Sequence, residues 1–161
     1  MSKIKFQNYS GIKNEQHNPR AVAKSDLKNG YIVVNGIEDG KEIAKVPETD
    51  EEAKGTLYFV WNTIDKPELD NESDFVIKEG DFARIFKFPQ DEILEVTGDL
   101  VTGNIVKGDL LISDTENKGM LKKANTTSET NPDEGYAVAL EVLELTTFGG
   151  KGYTVKVTSI A

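Results

Sequence analysis

Few side chains in this sequence are of the types that do covalent chemistry. Nucleophilic catalysis pairs a Ser, Cys or Thr with a nearby base, usually His. The chain has no cysteine and a single histidine, His17, set in a polar stretch where no regular element would hold it to catalytic tolerance. Acid and base work by two carboxylates needs a fixed pair. Glu141 and Glu144 share one strand-like run, but their odd spacing sends them to opposite faces of a regular strand. The best cluster of hard oxygen ligands is Asp65, Glu68, Asp70, Glu72 and Asp74. Its Asp70-x-Glu72-x-Asp74 spacing matches the start of a calcium loop, yet Phe75 stands where such a loop needs glycine. It is therefore read as a solvated acidic loop. Gly149-Gly150-Lys151-Gly152 lacks the leading glycine and following helix of a phosphate loop. Tyr9, Tyr136, Phe148 and Tyr153 have the type needed to stack on a sugar, but strand aromatics more often fill cores or interfaces. These residues point to a binding or structural protein, with no enzymatic activity, cofactor or metal expected.

The elements that would position such residues read as strands. Thr56 to Asn62 (TLYFVWN) is the most strand-prone window, with Leu57, Phe59 and Trp61 on one side and Tyr58 and Val60 on the other. Apolar on both faces, it belongs at the centre of the core. Tyr31 to Val34 and Glu42 to Val46 are strands around the Asn35-Gly36 and Asp39-Gly40 turn signals. Residues 47–55 read as an acidic loop in which Thr49 could cap one helical turn before Gly55. Phe75 to Ile77, Phe82 to Phe88, Ile93 to Val96 and Leu100 to Val106 follow as strands, with Phe82, Phe86 and Phe88 on one face. Leu27-Lys28-Asn29-Gly30, Ile77-Lys78-Glu79-Gly80 and Val106-Lys107-Gly108 echo one another at unequal spacing, as hairpins reusing one turn chemistry do.

The 161 residues suit one domain. Hydrophobic residues make up 37%, enough for a buried core. A net charge of −9 argues against nucleic-acid binding, which demands a basic face. The charge is unevenly spread. Residues 1–30 carry six lysines and arginines against two carboxylates, a surplus of +4 that leaves −13 for the remainder. Residues 1–25, with no apolar period from Gln7 to Arg20, are thus expected to form an extended basic arm, and residues 26–161 one β-barrel domain. The opening MSKIKFQNYS has no apolar signal core, and no run approaches the roughly 18 apolar residues of a membrane helix, so cytoplasmic synthesis without a membrane anchor is expected.

The C-terminal stretch says most about function. NIVKGDLLIS (104–113), NKGMLKKA (117–124) and EGYAVALEVLELTTFGGKGYTVKVTSI (134–160) run turn, strand, hairpin and a last long hairpin about a Gly-rich tip. In this order the Gly108-Asp109 turn, Gly119 to Ala124, Gly135 to Glu141 and Tyr153 to Val157 resemble the capsid decoration, or cement, proteins of tailed bacteriophages. The resemblance covers about the last third of the chain. It implies an all-β fold, a small antiparallel, β-tulip-like barrel or sandwich, attached to the exterior of the virion head through the major capsid protein, often as a homotrimer. With that implication, Lys3, Lys5, Lys13 and Arg20 of the arm and Phe148 and Lys151 of the hairpin tip become the expected contacts with the shell or a neighbouring copy. The alternative is a carbohydrate- or receptor-binding β-module, such as part of a head fibre, with a groove lined by Trp61 or exposed tyrosines.

Overall fold

The computed structural model describes residues 4–6, 17–62, 75–147 and 150–161. Within them the chain is nearly all β. Five strands, β2 (His17–Ala23), β3 (Ile32–Glu38), β4 (Lys41–Lys45), β5 (Tyr58–Val60) and β6 (Phe82–Lys87), close into a barrel in the order β2-β4-β3-β5-β6. Only β2 and β4 run parallel; the other pairs are antiparallel. A second, seven-stranded sheet adds β1 (Ile4–Phe6), β7 (Ile93–Thr97), β8 (Val101–Thr102), β9 (Leu110–Asp114), β10 (Met120–Lys123), β11 (Tyr136–Thr147) and β12 (Gly150–Ile160). Its order is β1-β7-β12-β11-β9-β10-β8.

Register decides which side chains go where. Ile32, Phe59 and Phe86 align across β3, β5 and β6 and point out of the barrel, where the seven-stranded sheet covers them with Leu94, Val96, Leu140 and Val155. One residue along, Val33, Val60 and Ile85 turn into the lumen with Ala21, Ala23, Ala44 and Ala83. A barrel of five strands has a narrow interior, and the alanines fit it. Phe59 and its ring neighbours Phe86 and Phe88, at 5.7 and 5.0 Å between centroids, thus form the seam between barrel and sheet.

Part of the expected arm is woven into this fold. Ile4–Phe6 is an edge strand on β7, and His17–Ala23 closes the barrel between β4 and β6. Pro19 is tolerated in β2 because the pairing with β6 slips between Asn18 and Ala21, and proline is accepted at such bulges. Residues 7–16 and the acidic cluster at 65–74 lie outside the described residues.

The helical turn does form. In α1 (Asp50–Lys54), the Thr49 hydroxyl accepts the Glu52 N–H at 3.3 Å and acidic residues fill the first turn, where they favour the helix dipole. Ala53 of α1 packs with Ile112, Tyr136 and Ala139, so the helix covers the back of the large sheet. The stretch from Leu100 is strand only to Thr102. It opens with a 3-10 turn at Gly98–Leu100, and Gly103, at φ +91°, then turns the chain.

The three echoed turns share one geometry. Lys28, Lys78 and Val106 each accept the N–H three residues on, and the residue two along is glycine at φ near +90°. This is the type II turn, whose third position favours glycine.

Candidate functional site

The segments that carry the C-terminal motif come together as neighbouring strands. In the Lys107-Gly108-Asp109 turn, the Gly108 N–H donates to the Val142 carbonyl at 2.8 Å and the Val142 N–H to the Asp109 carbonyl at 2.9 Å. The turn is thereby latched to β11 as a continuation of its pairing with β9. Asp109 secures the turn itself: its carboxylate accepts the Val106 N–H at 2.8 Å and meets the Lys123 ammonium of β10 at 3.0 Å. Burial alone would raise the Asp109 carboxyl, but these donors outweigh it and hold its pKa below the ordinary value.

Asp114 does the same for the β9–β10 turn and is only 3% exposed. It accepts the N–H groups of Glu116 and Asn117 at 3.0 and 3.1 Å and the Asn117 side-chain amide at 3.0 Å. Burial opposes its ionisation, and the Asn117 and Glu116 donors again win, leaving the pKa depressed. A carboxyl with a depressed folded pKa contributes stability that is full above its unfolded value, near 3.9, and is lost as pH falls through the folded value. Asp114→Asn is therefore expected to lower stability at pH 7 by about 1–3 kcal/mol. It should also flatten the loss of stability below about pH 4, as read by urea unfolding at a series of pH values.

Beside the turn lies an open groove of about 510 Å³, lined by Asp109, Lys123, Asn125, Thr126 and Thr127 among others. Its one carboxylate–ammonium pair is already satisfied, and the loop that borders it is closed by Asp133, which accepts the Asn125 N–H at 2.7 Å. The groove offers hydrogen-bonding groups rather than a nucleophile with a base. Past it the β11–β12 hairpin continues beyond β9, with Leu145 48% exposed, and Val106 of the latched turn is 56% exposed. Lys107 and Glu144 form an exposed ion pair at 3.0 Å that ties the turn to the hairpin.

The bulges in β11 revise the reading of its two glutamates. Glu141 pairs with Lys156 and Glu144 with Thr154, two apart on β12, so the slip between Val142 and Glu144 returns both carboxylates to one face. Glu144 is engaged by Lys107.

Of the residues expected to touch a partner, Lys3, Lys13 and Phe148 lie outside the described residues. Lys5 sits on β1 in register with Glu95. Arg20 is exposed on the barrel strand β2, and Lys151 is exposed on β12 opposite Thr146. Arg20 and Lys151 thus belong to different sheets. The aromatic candidates are largely covered: Tyr136 is buried against the back of the sheet, Tyr153 packs on the central core, and Trp61 lies 6.4 Å from Phe86, centroid to centroid. Among the described residues no three His, Asp or Glu side chains converge as a metal site. No helix there is long and apolar enough to cross a membrane. Comparison of the chain with protein families, with curated proteins and with solved structures found no match.

Proposed function

We propose that this chain is a capsid decoration protein of a tailed bacteriophage, a non-enzymatic cement that binds the major capsid protein on the head exterior, as a homotrimer. The reading is carried by one observation. The Gly-Asp turn, hairpin and closing strands that carry the resemblance are neighbours in one sheet, latched at Val142 and ending in a hairpin with exposed Leu145, Lys151 and, on the turn, Val106. Such a projecting end offers apolar contact with a charged rim, the composition of ordinary protein interfaces. Many copies each burying a standard interface would stabilise the assembled shell by mass action.

The test is sedimentation of the purified protein with and without expanded phage heads lacking it. A trimer that co-sediments with heads and saturates at a fixed ratio is expected. Leu145→Ser/Lys151→Glu should then reduce occupancy about tenfold or more at limiting protein, the loss of a contact worth at least about 1.4 kcal/mol. A monomer that ignores heads but binds glycans would overturn the proposal in favour of a carbohydrate-binding module.

A further inference from the structure

The chain contains two arginines, Arg20 and Arg84, and the barrel sets them on neighbouring strands, β2 and β6, where the bulge between Asn18 and Ala21 puts Pro19 and Arg20 against Arg84. Ala21 of β2 pairs directly with Ala83 of β6, both fully buried in the lumen. Arg20 precedes the first and Arg84 follows the second on antiparallel strands, and both are exposed. The pleat that turns Ala83 inward turns Arg84 and Phe82 outward. Phe82 is 64% exposed, pairs with Val22, and Val22 in turn pairs with Ile43 of β4. On the other side the Trp61 N–H donates to the Arg84 carbonyl at 3.0 Å, extending the same face to an indole.

This arrangement is costly for a molecule on its own. Like charges brought near one another on neighbouring strands repel. Lys24, Lys45, Lys78, Lys107, Lys118 and Lys123 each have a carboxylate partner, whereas among the described residues neither guanidinium has one. Asp26 is bonded to Lys78 and the Glu79 N–H, and Glu38 to Lys24. Two uncompensated arginines around an exposed phenylalanine, on a chain of net charge −9, are a local exception to the acidic character of the whole. Arginine and aromatic side chains dominate the centres of protein interfaces, and a guanidinium takes a carboxylate in a bidentate pair.

We propose that the outer face of β2 and β6, around Arg20, Phe82 and Arg84, docks a carboxylate-rich protein surface. Resting on the decoration reading, that surface is the outer face of the capsid shell. Charge complementarity selects the partner: an acidic face is repelled by the chain as a whole and attracted at this patch, which sets the orientation of docking.

The experiment uses the full chain with two probes, expanded heads and poly-L-glutamate, the latter followed by the fluorescence of Trp61, the sole tryptophan. Arg20→Glu/Arg84→Glu is expected to weaken head binding about 100-fold or more and Phe82→Ser about 10-fold, with wild-type binding falling as salt is raised. Wild type should give a salt-sensitive Trp61 response to poly-L-glutamate that the double variant lacks. Unchanged thermal unfolding of the variants keeps the comparison free of misfolding. Head binding equal in wild type and double variant overturns the patch and leaves the decoration reading standing. A wild type that ignores heads yet answers poly-L-glutamate overturns the decoration reading and upholds the acidic-partner patch, and no response to either probe overturns both. A double variant that binds heads normally but loses a free oligomer assigns the patch to a second copy and overturns the proposal.

Discussion

Phe59→Ala is expected to destabilise the protein by about 3–5 kcal/mol and to weaken both sheets together. Phe59 is fully buried, and its ring lies against Phe86 and Phe88 on the barrel's outside, in the same cluster as Leu94, Leu140 and Val155 of the large sheet. Truncation would leave a cavity at the one place where the two sheets share a core, and close-packed neighbours on both sides relax only in part. Urea unfolding should be followed by Trp61 fluorescence, which reports the barrel, and by amide exchange in β11 and β12, which reports the sheet. Both transitions should move to lower urea together with unchanged slope. A shift of the Trp61 transition alone would show that the sheets unfold independently. Phe82→Ala, on the same face of β6 but exposed, should change stability by about 0.5 kcal/mol or less.

The contrast between Phe59 and Phe82 also marks how far sequence reading reaches here. The period of two in Thr56 to Asn62 separates Leu57 and Phe59 from Tyr58 and Val60, and the structure sends the first pair to the seam and the second to the lumen side. That window is apolar on both faces because a sheet covers the barrel from outside. In Phe82, Phe86 and Phe88 the same period identifies a shared face but not its cover, which protects Phe86 and Phe88 and stops short of Phe82. Strand β2 is hard to see in the sequence for two physical reasons. Its inward residues are Ala21 and Ala23, small enough for the lumen and too weakly hydrophobic to mark an alternation, and Pro19 suggests a loop until the bulge beside it is known.

The two proposed contact surfaces divide in the same way. The Lys107-Gly108-Asp109 turn is legible because its chemistry is local: glycine for a positive φ, and an aspartate whose side chain caps the N–H three residues back. The placement of Arg20 and Arg84 on neighbouring strands is non-local. It depends on the register of two strands separated by most of the barrel's chain, which no local pattern of residues announces. The same holds for Glu141 and Glu144, whose common face follows from a bulge that the spacing of residues does not announce.

Gly119→Ala is expected to cost about 2–4 kcal/mol, against about 1–2 kcal/mol for Gly108→Ala. Both glycines have positive φ, +84° and +92°, so both substitutions incur the left-handed penalty of a side chain. They differ in what the new methyl group meets. At Gly108 it finds open space, whereas at Gly119 it would stand 2.6 and 2.8 Å from the Tyr31 ring. Tyr31 cannot simply yield, because it packs against the central core and the lumen cluster at once. The Gly119 carbonyl also accepts the Ile32 N–H at 2.8 Å, and the adjacent Lys118 reaches Glu48 at 2.8 Å, so this turn fastens the large sheet to the start of β3. The exposed ion pair adds little, about 0.2–1 kcal/mol, and steric fit carries the difference between the two glycines. A cycle with Tyr31→Ala separates the terms. If the clash dominates, Gly119→Ala costs at least about 1 kcal/mol less in the Tyr31→Ala background, and strictly additive losses would instead assign the whole effect to the backbone. Because this turn links the sheet bearing the hairpin to the barrel bearing Arg20 and Arg84, the proposed decoration role predicts that the strained variant also weakens attachment to heads under conditions where it remains folded. Two surfaces held on one rigid frame engage a partner with less entropy to lose than two that move separately.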